Sequence, residues 1–189
     1  MKVILICGSP RANGNTAQTL AICAGELEKY GMETETISLA GKKIESCVAC
    51  GSCKRKPGRC ALDDEGNEIM AKVASADALI VGAPVYFGTA RGDMMSLLQR
   101  IGMVSRSGPQ FLQGMVGGPI AVARRGGATV ALQEMLMFFF INGMILTGAD
   151  YWNILFGGPA GSVMNDTEGI DNIKVYAANV AKLVQKVRS

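Results

Sequence analysis

Four of the six cysteines fall within fourteen residues, in the run CVACGSCKRKPGRC from Cys47 to Cys60. The pattern is C-x2-C-x2-C-x6-C. Thiolates at that spacing in a loop can converge on one iron–sulfur cluster while backbone N–H groups turn toward the sulfurs. Structural zinc held by four cysteines usually draws on two C-x2-C pairs set well apart. A compact run with one trailing thiol therefore favours a [4Fe–4S] cluster on Cys47, Cys50, Cys53 and Cys60 over zinc. A cubane with four thiolates is an anion, so Lys54, Arg55, Lys56 and Arg59 would ease its reduction. They would also guide an acidic electron carrier such as a ferredoxin, the plain alternative being a solvated basic loop. Cys7 and Cys23 fall on a predicted strand and a predicted helix, where core packing is the expected role.

No histidine occurs anywhere in the chain. That removes His-based general acid–base catalysis, Ser-His and Cys-His nucleophile pairs and every mixed Cys/His zinc site. Chemistry is left to a cofactor, to cysteine, or to groups without histidine's convenient pKa.

The stretch GSPRANGNT (8–16) offers a different chemistry. Ser9, Asn15 and Thr16 bring hydroxyl and amide donors, and Arg11 can make a charge-assisted bond to a phosphate oxygen. It is not a Walker loop: Asn15 stands where the lysine belongs, and Gly8 and Gly14 are one residue too far apart. It also lacks G-x-G-x-x-G, so a dinucleotide fingerprint is not supported. A polar capping turn that binds nothing is the alternative, and the flanking pattern weighs against it. KVILIC (2–7) reads as a buried parallel strand. Residues 16–30 carry Leu20, Cys23, Ala24 and Leu27 at helical spacing, with Gly31 ending the helix. Between such a strand and helix, doubly wound folds bind phosphates.

The remaining elements continue the alternation. METETISL (32–39) reads as a more exposed strand, 63–76 as a helix with an acidic first turn, and DALIVGAP (77–84) as the third strand. A helix over 92–104, a strand over 115–124, a helix over 128–143, a short strand near 145–152 and a helix from about 168 to 188 follow. Strand–helix alternation of this kind implies a parallel sheet with helices on both faces. There is no repeat, linker or low-complexity tract, so residues 1–189 read as one domain with a cysteine-rich insertion at about 44–62.

Strand, GSPRANGNT and helix, with APVYFG after the third strand, resemble the flavodoxin-like NAD(P)H-dependent FMN reductase family over nearly the whole chain. CVACGSC and its fourth cysteine bring the resemblance closest to the iron–sulfur flavoproteins of that group. The resemblance implies an α/β flavodoxin-like three-layer sandwich, its five-stranded parallel sheet ordered 2-1-3-4-5 with the switch point between strands one and three. It implies an FMN phosphate on Ser9, Arg11, Asn13, Asn15 and Thr16. Pro84, Val85, Tyr86, Phe87 and Gly88 would give the flavin ring a flat apolar contact and backbone donors, although aromatics after a strand commonly just pack. In relatives the next loop, here Ala123, Arg124, Arg125, Gly126 and Gly127, also lies by the flavin. Its glycines would permit close approach, and either arginine would stabilise an anionic reduced flavin or simply be solvated. FGGPAGSV (156–163) is glycine-rich enough to cover the site.

The implied function is an FMN-dependent oxidoreductase passing electrons between a reduced donor, ferredoxin or NAD(P)H, and an acceptor. Cluster-free relatives keep a similar cysteine loop followed by DD, here Asp63 and Asp64, so a cluster-free NAD(P)H-dependent FMN or quinone reductase is the alternative. A flavodoxin-like electron carrier is a further one, although flavodoxins tend to be strongly acidic and this chain carries +3. A homodimer or homotetramer, with the cysteine loop near a subunit contact, is implied as well.

Composition narrows the setting. A net charge of +3 is too small to argue for nucleic acid or a membrane surface, and 49% hydrophobic with 19% charged residues describes a globular chain. MKVILICGSP lacks the long apolar core and cleavage site of a signal peptide. MLMFFFINGMIL (135–146) is too short to cross a bilayer as a helix and reads as buried core or subunit contact. The expectation is a cytoplasmic protein, where clustered cysteines mean metal or redox chemistry more often than disulfides.

Overall fold

A computed structural model describes residues 1–188. Its first strand, β1 (Lys2–Cys7), alternates side chains between two apolar layers, with Ile4 and Ile6 in one and Val3, Leu5 and Cys7 in the other. That two-sided burial is what a continuous apolar run in a central parallel strand produces. β2 (Glu33–Ser38) lies beside it at the sheet edge, mostly solvated, as its alternating sequence predicts. β3 (Ala78–Tyr86) pairs with the other side of β1, and β5 (Val116–Ala123) pairs with β3. A two-residue β4 (Thr89–Ala90) folds back antiparallel on β3.

The parallel order is β2-β1-β3-β5, matching the first four positions of the expected 2-1-3-4-5. The fifth position is shared by two short strands, β6 (Ile145–Leu146) and β7 (Ile154–Phe156), at opposite ends of β5. The single strand expected near 145–152 is thus broken, and β5 itself shows why. Pro119 has no N–H to give at the middle of this edge, so a regular rung cannot form there. The Asn153 side chain donates to the Pro119 carbonyl instead, at 3.2 Å.

Helices α1 (Asn15–Lys29) and α6 (Thr167–Arg188) cover one face, joined by Leu20, Cys23 and Leu27 against Ile173, Tyr176 and Val180. Helices α3 (Gly66–Ala74), α4 (Gly92–Arg106) and α5 (Ala128–Ile141) cover the other. Each fully buried large apolar side chain in these layers contributes about 1.5–3 kcal/mol. Cys7 and Cys23 lie in this core as expected. Burial, with the nearby Glu26 charge, pushes the Cys23 thiol up to about 12, so it stays neutral.

The apolar segment at 135–146 is buried core, as expected, only in part. Met135, Phe138 and Phe139 are buried, while Met137, Phe140 and Ile141 face outward. No helix of the described residues is long and apolar enough to cross a membrane. The cysteine segment links β2 to α3, and its one regular piece is the single turn α2 (Ser52–Arg55), entered through Gly51 in the left-handed region.

Candidate functional site

The switch point expected between the first and third strands is where three loops meet. From β1 the chain goes to β2 on one side, while β3 and β5 lie on the other, so their carboxyl ends leave a crevice. Gly8 N–H donates to the Gly82 carbonyl at 2.8 Å, locking the first loop against β3. Inside that loop Ser9 Oγ accepts from Arg11 N–H at 3.1 Å, and Gly14 N–H donates to the Arg11 carbonyl at 3.1 Å. Helix α1 then starts behind an extended Gly14, with no side-chain cap and no acidic residue in its first turn. Its orphan N–H groups and positive dipole end are left for an anion, with the exposed Arg11 beside them.

Asn15 is committed elsewhere. Its Oδ1 accepts from the N–H groups of Gly161 (2.8 Å) and Val163 (3.3 Å), and its Nδ2 donates to the Pro159 carbonyl at 3.0 Å. One side chain therefore pins the 157–163 loop to the start of α1. What Asn15 offers an anion is its backbone N–H.

The second loop is a hairpin tip. Val85 pairs with Ala90 and Tyr86 with Thr89, leaving Phe87 (φ 50°) and Gly88 (φ 90°) both left-handed at the turn. Two positive φ values in a two-residue hairpin suit glycine, and a phenylalanine in the first is strained. Phe87 is fully solvent-exposed. Arg91 anchors this hairpin to the first loop, donating to the Gly8 carbonyl at 3.3 Å and pairing with Asp93. In the third loop Gly127 (φ +82°) lies so near that a Cβ there would stand 2.8 Å from the Gly88 Cα. Only glycine permits both that backbone and that approach.

These loops border a cleft of about 330 Å³. Of the expected residues, Ser9, Arg11, Asn15, Thr16, Pro84, Val85, Tyr86 and Arg124 line it. Asn13, Phe87, Gly88, Arg125, Gly126 and Gly127 stand in the same three loops, and Ala123 at the end of β5, but outside its wall. Pro10, Gly14, Val122, Gly157 and Gly158 were not in the expected set and do line it. The last two arrive through the Asn15 clamp and through Gly157 N–H on the Ala123 carbonyl at 2.8 Å. The glycine-rich 156–163 stretch thus forms a wall of the cleft.

The family model for NADPH-dependent FMN reductases matches residues 1–157. The chain belongs to that family. It is an FMN-dependent oxidoreductase, and the cleft suits a phosphate-bearing aromatic ligand: an uncapped helix start at one end and an aromatic hairpin at the other. Among relatives of this family member, an iron–sulfur flavoprotein of Methanocaldococcus jannaschii is 36% identical over the full length of both chains. Another, from Methanosarcina thermophila, is 32% identical over 100% of this chain and 99% of its own. In fold the chain is similar to RosB, solved with bound 8-demethyl-8-formylriboflavin-5′-phosphate (TM-score 0.78, 16% identity, covering 100% of this chain and 80% of that one). An archaeal flavodoxin superposes with a TM-score of 0.62 at 16% identity, over 98% of this chain and 99% of that one.

The family member has a second candidate site in the cysteine loop. Cys47, Cys50, Cys53 and Cys60 all border one narrow cavity of about 20 Å³, floored by Arg100, Met103 and Val104 of α4. Hydrogen bonds from Ser52 hold the Cys50 thiol below the ordinary cysteine value. Among the described residues no three Cys, His, Asp or Glu groups are placed to hold a single metal ion. Four soft donors round a common space, over a buried cation, fit an anionic cluster by chemistry. The cavity as it stands holds about one water, so loading a cluster requires the 47–60 loop to open.

Beneath the loop lies an ion pair that motif reading did not find. Arg100 is 1% exposed and pairs with Asp64 through Nη1. Burial raises the Asp64 carboxyl, but Arg100 and the N–H groups of Glu45 and Gly66 outweigh it and hold it below the usual carboxylate range. The DD of the sequence is therefore not a helical first turn. Asp64 turns inward, and α3 starts two residues later, with Gly66 N–H on Asp64 Oδ1 at 2.9 Å.

Proposed function

We propose that this oxidoreductase passes electrons between a reduced donor, ferredoxin or NAD(P)H, and an acceptor, using FMN in the three-loop cleft and a [4Fe–4S] cluster on Cys47, Cys50, Cys53 and Cys60. The observation that carries the reading is that all four thiols of the motif border one cavity. FMN, when bound, accepts two electrons together and releases them singly, which a one-electron cluster can relay.

The chain's own part is binding and orientation. The uncapped start of α1, with Ser9, Arg11, Asn13, Asn15 and Thr16, is proposed to hold the phosphate. Pro84, Val85, Tyr86, Phe87 and Gly88 receive the ring, beside Ala123 and the Arg124–Gly127 loop. Of the two arginines only Arg124 lines the cleft, so it is the one assigned to the negative charge of the reduced flavin. With no histidine present, electron transfer by orientation is the chemistry such a site can run.

The exposed basic residues between Cys53 and Cys60 fit an acidic carrier, whereas a small-molecule acceptor would use the flavin directly. The reading takes the chain as one cytoplasmic domain with an insertion at about 44–62, assembled as a homodimer or homotetramer. A second reading, a cluster-free NAD(P)H-dependent FMN or quinone reductase, is favoured by one observation: the narrowness of the cysteine cavity.

Purification without oxygen, followed by quantification of FMN, iron, acid-labile sulfide and zinc per chain, tests both. FMN with iron and sulfide at [4Fe–4S] stoichiometry is expected. FMN without iron selects the cluster-free reductase. A chain that retains no FMN after reconstitution overturns the central claim.

A further inference from the structure

We propose that Arg100 is a buried donor to the sulfur atoms of the cysteine site and shifts the redox balance of the cluster toward its reduced form. The inference rests on the cluster reading of Cys47, Cys50, Cys53 and Cys60. Arginine is almost never fully buried unless paired. Here the pairing is half complete: Nη1 is occupied by Asp64 and by the Glu45 carbonyl at 3.3 Å. Nε and Nη2 are buried and have no hydrogen-bond partner.

Asp64 does not serve that free edge. Its Oδ1 takes Gly66 N–H at 2.9 Å, and its Oδ2 takes Glu45 N–H at 3.0 Å together with Arg100. Arg100 instead borders the cavity ringed by the four thiols, and Cys60 is near enough to act on the guanidinium, although neither Nε nor Nη2 bonds to it with ordinary geometry. A neutral thiol is a weak acceptor. A thiolate or a cluster sulfur is a strong one for a charged N–H. A buried cation with two orphan donors thus borders the place where negative sulfur belongs, and loading the site would give those donors acceptors.

The position of the charge decides its weight. Lys54, Arg55, Lys56 and Arg59 are exposed, so solvent and salt screen them. Arg100 acts from the interior, where its N–H groups have a larger effect, although the paired Asp64 offsets part of its charge. Reduction brings one electron from the donor to the cluster, with no bond made and no proton moved at Arg100. The added negative charge strengthens the N–H···S contacts, so their presence favours the reduced state.

The test uses the full chain, reconstituted without oxygen with FMN, ferrous iron and sulfide. Arg100→Lys keeps the charge and the Asp64 pair but loses the forked donor edge. Asp64→Asn with Arg100→Gln removes both charges and keeps the shape. A surface control replaces Lys54, Arg55 and Lys56 with Gln. Spectroelectrochemical titration reads the cluster and the flavin in each sample. In the double variant the ratio of reduced to oxidised cluster at a fixed poise is expected to fall about tenfold, or 59 mV for a one-electron couple. Arg100→Lys should fall between it and the parent, the surface control should change by less than about threefold, and the flavin couple should stay put.

A purely structural Arg100 would leave the cluster couple unmoved in both Arg100 variants, and that result overturns the proposal. So does a surface control that shifts as far as the double variant. Loss of iron from Arg100→Lys, with FMN retained, supports it, because that variant keeps the Asp64 pair. A parent chain that takes up no iron overturns the cluster reading and this inference together, whereas a loaded parent with unmoved variants overturns this inference alone.

Discussion

Asn15 shows how one residue can belong to a cofactor loop without giving its side chain to the cofactor. Both ends of its amide are used on the 159–163 backbone, 144 to 148 residues away in sequence. Asn15→Ala would remove three bonds worth about 0.5–1.5 kcal/mol each, and the wall made by Gly157 and Gly158 would loosen. The expected outcome is an FMN dissociation constant raised about tenfold, read by fluorescence quenching of FMN titrated into apoprotein. Asn15→Asp should bind worse still, since it cannot donate to Pro159 and places a negative charge beside the phosphate loop. Unchanged affinity in Asn15→Ala would refute the clamp. The sequence marks Asn15 as a polar residue in the right loop. Its real partners were not legible, because a contact across so many residues leaves no local pattern.

At the scale of elements, periodicity served well wherever an element buries a regular face. β1, β3, β5 and five of the helices stand within a few residues of their expected bounds. The failures have local causes. The fifth strand is broken because Pro119 lacks a donor, and α3 starts late because Asp64 leaves the helix for Arg100. A basic residue at position 100 looks like part of a solvated helix face, and nothing in its neighbours announces a buried pair. That pair ties the cysteine loop to α4 through Glu45 N–H and carbonyl. Because the folded Asp64 pKa is depressed, its contribution is fully present above the unfolded value near about 3.9 and is lost as pH falls through the folded value. Asp64→Asn, which strands a buried guanidinium, is therefore expected to lose about 3–5 kcal/mol at neutral pH. The gap to the parent should shrink in acid, as the parent's own carboxyl protonates. Urea unfolding of both proteins at neutral and acid pH measures this, and a gap independent of pH would rule out the ion pair as its source.

For the molecule as a whole, the question is what covers the outer face of α5. Met137, Phe140 and Ile141 are 62%, 74% and 62% exposed, with Val130 on the same helix also outward. Apolar side chains clustered on one helix face are the kind of surface that marks a contact with another protein. The end of this row is joined to the cysteine site: Arg106 of α4 donates to the Ile141 carbonyl at 2.6 Å, and Met103, one turn earlier, is exposed and borders the thiol cavity. A second copy seated on α5 would therefore also shelter the cysteine loop, in keeping with the proposed homo-oligomer. Each apolar side chain buried there would contribute about 1.5–3 kcal/mol, so lysine at both 137 and 141 should abolish the contact. Met137→Lys with Ile141→Lys is expected to run as a monomer in sedimentation at micromolar concentration and still to unfold cooperatively, since neither side chain supports the core, with a midpoint below the assembled parent's by what association contributes. FMN should remain bound, because α5 turns this face away from the cleft, while iron should be lost faster on dilution in air. A parent that sediments as a monomer, or a variant that assembles as the parent does, would leave α5 an exposed face with no partner of its own kind.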